Sequence, residues 1–199
     1  MRITIILAIS AVYAGIFFSA CNIALAQTSD IGQSQIHPSH PLYFLKTVRE
    51  NLEMHFAQTP RVKMVRQLEF ATRRLREVKT LLQIKDWDLV EPTMERYWFH
   101  MNTVLKYRPR EEWLTLLLNY TISTHLNVLE NIYGRMNEKR AKMSVRTTVH
   151  RILKYSDIIE APRLKGCDFL AKEATSSSDL NQTERVILSE RAEECFKRL

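Results

Sequence analysis

Histidine, carboxylate, thiol and aromatic side chains are the groups in this chain with chemistry to offer, and their spacing limits what that chemistry is. His100, His125 and His150 recur at intervals of 25 residues. On three adjacent helices they would converge as metal ligands, since imidazole nitrogens suit zinc. The same interval is the length of a helix and its connection, so separate surface or hydrogen-bonded histidines are the simpler account. His37 and His40 flank Pro38 in a polar stretch and are expected in solvent. Glu91, Glu95, Glu111 and Glu112 are the acids from which a hydrolase of envelope polymers would draw two close carboxylates. The chain has no G-x-S-x-G, H-E-x-x-H, S-x-x-K, C-x-x-C-H or glycine-rich phosphate loop, the spacings that such chemistries require. No catalytic residue, metal ligand or cofactor is therefore assigned, and an enzymatic role is disfavoured.

Aromatic residues are densest at Tyr97-Trp98-Phe99-His100, followed by Tyr107 and Trp113. Three successive aromatics on a helix cannot all face one core, because each step turns by about 100°. Packing between three helices would absorb them. Otherwise Tyr97, Trp98, His100, Tyr107 and Trp113 form a partner-binding patch, with Arg96, Lys106, Arg108 and Arg110 beside it, suited to a peptide or a glycan strand.

The start of the chain sets the compartment. Met1-Arg2 precedes an apolar run from Ile3 to Phe18, and Ala24-Leu25-Ala26 has the small-residue form of a signal-peptidase site. Residues 1–26 are read as a signal peptide, which puts the mature chain outside the cytoplasm: periplasmic, at the cell surface or secreted. Lipidation at Cys21, in the lipobox-like Phe18-Ser19-Ala20-Cys21, is one alternative. Retention as a membrane anchor is the other, since Ile3 to Ala26 is about long enough to cross a bilayer. Nucleic acid is then a poor partner. The mature chain keeps 28 basic and 22 acidic residues, and a basic exported protein is drawn to anionic envelope material. Interleaved surface charges without a specific role are the plainer account.

Two cysteines remain, Cys167 and Cys195. In an oxidising compartment an isolated pair reads as one disulfide, against two buried free thiols or a redox site. Each falls on the apolar stripe of an expected helix. At about 1.5 Å per residue they lie roughly 12 and 21 Å below the tops of those helices, a difference that the Ser176–Asn181 loop can absorb.

The elements that would position these groups are helical. Residues 27–36 are polar and aperiodic and are expected to form a flexible arm; residues 37–199 are expected to form one helical domain. Pro38 and Pro41 precede the first apolar period, and Pro60, Pro109 and Pro162 open later ones. Four of the six prolines mark helix starts, because the missing N–H of proline is harmless in a first turn. Pro92 puts a further start between Asp88 and Pro92. Met64, Leu68, Ala71, Leu75, Val78 and Leu82 alternate by four and three, a seam that faces one partner helix, with Arg66, Arg73, Arg76, Glu77 and Lys79 largely outward. Leu42, Leu45, Val48, Leu52 and Phe56 repeat the pattern, so the two segments are expected to fold into an antiparallel hairpin with Leu42 and Leu45 inward and Arg73 or Arg74 meeting Glu50 or Glu53. Later helices are expected near 89–107, 109–133, 138–159, 162–175 and 182–198, the last opened by the capping box Asn181-Gln182-Thr183-Glu184. The fold class is all-α: a bundle or stack of helical hairpins, about seven helices, no sheet.

One stretch carries a resemblance. His37-Pro38-Ser39-His40-Pro41-Leu42-Tyr43-Phe44-Leu45-Lys46, then Arg49-Glu50, and later Arg73-Arg74-Leu75-Arg76-Glu77, are similar in order and spacing to the bacterial family of domain of unknown function 5667. The close match covers about 37–82. His40 stands where the family usually has Ser before the proline, which removes the hydroxyl that would cap the helix. The resemblance implies an exported or membrane-tethered helical domain with no established activity, and it transfers no catalytic residues. The functional expectation is an exported non-catalytic helical protein of the bacterial cell envelope that binds a protein or an anionic envelope partner. A membrane-anchored sensory ectodomain, and then a hydrolase of envelope polymers, are the alternatives.

Overall fold

A computed structural model describes residues 31–107, 111–155 and 158–199. The expected signal peptide 1–26, the alternative lipidation at Cys21, the first part of the arm, and Arg108, Pro109 and Arg110 lie outside those residues. Seven α-helices and one short 3-10 turn make up the described fold, and no strand occurs among the described residues. The helices are α1 (Tyr43–His55), α2 (Pro60–Ile84), α3 (Val90–Tyr107), α4 (Glu112–Tyr133), α5 (Lys139–Leu153), α6 (Glu160–Ser176) and α7 (Gln182–Phe196); the 3-10 turn is Trp87–Leu89.

Local chemistry sets their ends. Pro60 occupies the first turn of α2, where Thr59 Oγ1 accepts the Val62 N–H at 3.2 Å. Lys85, with φ of 61°, turns the chain left-handed and ends the helix. Glu138 caps α5, accepting from the backbone N–H groups of Arg140 and Ala141. Asn181 and Glu184 form the expected reciprocal box on α7. At α1 no side chain caps the first turn; His40 Nδ1 accepts the N–H of Leu42, the residue that precedes the helix, at 3.1 Å.

The core is one continuous cluster. Leu68, Ala71, Leu75 and Val78 of α2 pack with Met94, Tyr97 and Met101 of α3, Ile122 and Leu129 of α4, and Val145 and Ile152 of α5. Leu170 of α6 and Leu188 of α7 extend it. Buried polar groups pin the C-terminal half: Tyr133 Oη donates to Glu173, and Arg146 pairs with Asp179 while lying over the Tyr133 ring at 5.7 Å. Gly166 lets α6 approach α5, since a Cβ there would stand 2.6 Å from Leu153 Cδ2.

Four expectations change. The helix expected over 138–159 stops at Leu153, because Arg163 reaches back and donates to the carbonyls of Leu153 at 2.9 Å, Tyr155 at 2.7 Å and Ile158 at 3.2 Å, holding them out of a helical ladder. The described part of the expected flexible arm is bonded in place: Ser34 N–H donates to Thr80 Oγ1 at 3.0 Å, and Lys46 Nζ donates to Ile36 O at 3.1 Å. The apolar stripe of α1 points away from the core. Phe44 is 62% exposed, and Leu42, Leu45, Val48, Leu52 and Phe56 are all exposed as well. Glu77, expected on the outer face of α2, is instead wholly buried beneath α1. Periodicity shows that side chains share a face; it does not show which way the face looks.

Cys167 and Cys195 form a disulfide between α6 and α7, Cα atoms 5.6 Å apart. Opening a loop of this size removes about 3–4 kcal/mol on the chain-entropy account. The Cys167→Ser/Cys195→Ser pair is expected to lower the denaturant midpoint correspondingly, with a helical circular-dichroism spectrum retained.

Candidate functional site

Helix α1 rests on α2 through charge. Arg74, almost wholly buried, aims Nη2 at both oxygens of Glu50 and Nη1 at Glu77 Oε2, 3.1 Å away. Lys46 Nζ takes the other Glu77 oxygen at 2.6 Å. Tyr43 completes the cluster: its hydroxyl donates to Glu77 Oε2 at 3.2 Å and accepts from Arg74 and from Arg96 Nη1, the latter at 3.0 Å. Arg73 bridges Glu50 and Glu53, with Nη2 2.8 Å from Glu53 Oε2. The expected meeting of Arg73 or Arg74 with Glu50 or Glu53 is thus found with both arginines. Burial raises the Tyr43 phenol, and Glu77 adds to the shift. For Glu53, burial acts upward, but the hydrogen bonds from Arg49 and Arg73 outweigh it and the carboxyl ends below its usual range.

With its inner face charged and its outer face apolar, α1 forms one wall of a groove. Phe44 and Val48 stand on that wall, Phe70 and Gln67 of α2 on the floor, and Phe99 and His100 of α3 opposite, around a space of about 850 Å³. Met54 and Gln67 also line a smaller space of about 230 Å³ that runs on to Lys63, Thr103 and Tyr107. The two spaces adjoin at Met54 and Gln67 along α2. His100 Nδ1 hydrogen-bonds Gln67 Oε1 at 2.6 Å; burial, and then the charge of Arg74, depress its pKa to about 4.

The expected aromatic patch is divided among several places. Tyr97 is fully buried in the core and cannot touch a partner. Trp98 is half-buried against Tyr155, ring centres 6.4 Å apart, with Arg151 over its ring at 5.6 Å. His100 and Tyr107 line the groove. Trp113 stands on α4, under Arg61 at 5.7 Å and donating to Glu111 Oε2 at 2.8 Å. Phe44, Val48 and Phe70 also line the groove; of these, the sequence pattern put Val48 in the inner seam of a hairpin and assigned no place to Phe44 or Phe70. The available signal was the alternation on α1 itself: Tyr43, Lys46, Glu50 and Glu53 also share a face, and they match Arg73, Arg74 and Glu77.

The three histidines are kept apart. His100 lies in the groove, and His150 lies beside Lys154, Arg191 and Arg198 at another surface. His125 is in the core, with Nε2 2.9 Å from Thr72 Oγ1 and Nδ1 3.2 Å from Tyr97 Oη. Thr72 spends its own proton on Leu68 O, so it accepts from His125 Nε2–H and leaves Nδ1 to accept from Tyr97. Among the described residues no group of three His, Cys, Asp or Glu is placed to hold a metal ion. Glu91, Glu95 and Glu111 sit in separate ion pairs with Arg140, Arg151 and Arg61. No helix among the described residues is long and apolar enough to cross a membrane.

Burial holds the His125 pKa at about 3 and that of His150 at about 4. The unfolded chain takes up those protons near pH 6.5 and the folded chain does not, so stability is full above pH 6.5 and is lost as pH falls towards the folded values. For His125 alone the loss between pH 7 and pH 4 is about 3 kcal/mol. Thermal unfolding across that range should show a melting temperature that falls with pH, and His125→Gln should flatten the dependence even where it lowers the plateau.

A family model described as Domain of unknown function (DUF5667) matches residues 35–154, more than half of the chain. No curated protein and no solved structure matches it. The matched span covers α1 to α5 and so contains the whole charged cluster and both walls of the groove.

Proposed function

We propose, from the premise that this chain belongs to the DUF5667 family, that it is an exported, non-catalytic docking protein of the bacterial cell envelope that receives a segment of a partner protein in the groove between α1 and α3. The observation that carries this is the outward apolar face of α1, held open beside Phe99 and above Phe70. Contiguous exposed apolar surface of this kind is costly in water and marks an interaction site. A groove walled by two helices suits an amphipathic helix that presents apolar residues at i, i+3 or i+4 and i+7. Arg96 and Lys63 on the rim favour a carboxylate on that helix.

Export has two supports. One is the Arg2, Ile3–Phe18 and Ala24-Leu25-Ala26 pattern. The other is the Cys167–Cys195 disulfide, a bond that persists in oxidising compartments. Intact-mass measurement of the native protein is expected to find Gln27 at the N-terminus; a retained segment would favour the anchored sensory ectodomain.

The groove is tested by photo-crosslinking in the source cells, with benzoylphenylalanine in place of Phe99, or of exposed Lys172 on α6 as control. A discrete protein adduct is expected at position 99, absent at 172 and lost when Val48→Asp is added. Equal labelling at the two positions would remove the groove as the partner site.

A further inference from the structure

We propose that the edge of α1 away from the groove is a docking surface for an anionic phospholipid bilayer, with Arg49 and Arg76 meeting lipid phosphates and Leu45 and Leu52 entering the acyl boundary. This face is independent of the groove and differs from it in chemistry. A hollow of about 580 Å³ lies between the segment 33–36, α1 and α2; Lys46, Arg49, Arg73 and Arg76 line it with Leu45, and no carboxylate does. Among the described residues the nearby acids are Glu50, Glu53 and Glu77, against Lys46, Arg49, Arg73, Arg74 and Arg76, an excess of two basic side chains on this side. Arg49 donates through Nε to Glu53 Oε1 at 2.6 Å while its side chain stays 71% exposed, and Arg76 is exposed and donates to the neutral carbonyl of Ile31.

Beside the hollow, Leu45 and Leu52, one helical face apart from the groove wall, stand exposed on α1. An amphipathic helix with a charged flank and a modest apolar face is the form that lies in the interfacial plane of a membrane. Basic side chains at its margin add attraction to anionic headgroups within a Debye length. No exposed aromatic ring lines the hollow, as base stacking would require.

The route of the chain points the same way. Ile31 and Ser34 are fastened to Arg76 and Thr80, so the polypeptide enters the fold at this hollow. Only residues 19–30 separate Ile31 from the apolar run that ends at Phe18, a span of at most about 40 Å when extended. Where that run is retained in the bilayer or replaced by lipid at Cys21, the short connection to Ile31 keeps the hollow and the α1 stripe close to the membrane.

Vesicle co-sedimentation of residues 27–199 tests this; the whole core and every described helix lie inside that span. The probes are vesicles of phosphatidylcholine alone and of phosphatidylcholine with one-quarter phosphatidylglycerol. At least tenfold stronger binding to the anionic vesicles is expected, weakening as salt rises. Arg49→Glu/Arg76→Glu and, separately, Leu45→Asp/Leu52→Asp should each reduce that binding at least tenfold with unchanged helical circular dichroism, while Phe99→Asp leaves it within twofold. Equal binding to both vesicles, no binding, or full binding by the charge-reversed pair would overturn the proposal. So would displacement by inorganic phosphate, which would mark a free-anion site, or loss with Phe99→Asp, which would move the contact to the groove. The groove itself is judged by the crosslink at position 99, so either surface can fail without the other.

Discussion

Arg74 holds two carboxylates and a phenol beneath α1, and the architecture around the groove depends on that arrangement. A helix of 13 residues is marginal alone in water, and α1 buries little apolar surface to stabilise it. Its attachment is electrostatic: Glu50 and Glu77 are taken out of water because Arg74, Lys46 and Arg73 meet them there. Such pairs have little net value compared with a well-packed apolar contact, yet they are expensive to break one partner at a time. They also fix register, since a helix that slides by one residue loses every partner at once. The result is a helix whose inner face is saturated with charge and whose outer face is left for something else.

The remaining helices follow different physics. From α2 to α7 the chain buries aliphatic and aromatic side chains in one continuous cluster, with polar inclusions such as His125 between Thr72 and Tyr97 made neutral and fully bonded. The disulfide closes the C-terminal hairpin of α6 and α7, and the Tyr133–Glu173 and Arg146–Asp179 contacts fasten that hairpin to the cluster. This part is a rigid platform, and α1 is an element placed on it by charge. Groove and basic hollow exist because α1 is held above α2 by charged and polar side chains and is not sunk into the core.

Sequence reading recovered the helices almost whole because their signals are local: proline in first turns, the Asn181–Glu184 box, and the four-three alternation from Met64 to Leu82. It also placed Cys167 against Cys195, since rise per residue and loop reach are simple geometry. It misjudged α1 because two faces of that helix are patterned, and the usual assumption that the apolar face is buried selects the wrong one. Glu77 was placed in solvent for the same reason, with no local sign that a glutamate between Arg76 and Val78 would meet Lys46, 31 residues away. The aromatic run at 97–100 was correctly marked as facing several directions; which ring faces which was set by the angle at which α2, α4 and α5 surround α3. Arg163, which stops α5, acts from the next helix and leaves no trace in the segment it terminates.

Native-state hydrogen exchange of the α1 amides compares these two kinds of attachment directly. If charge holds α1, Val48→Ala/Leu52→Ala leaves the protection of residues 47–55 within about threefold of the parent, while Arg74→Met, which strands Glu50 and Glu77, lowers it by about 100-fold or more. The platform helices α3 and α4 keep their protection in both variants. Loss of α1 protection in the alanine pair with retention in Arg74→Met would contradict the account, because it would mean that the apolar stripe, and not the buried charge, is what fastens the helix.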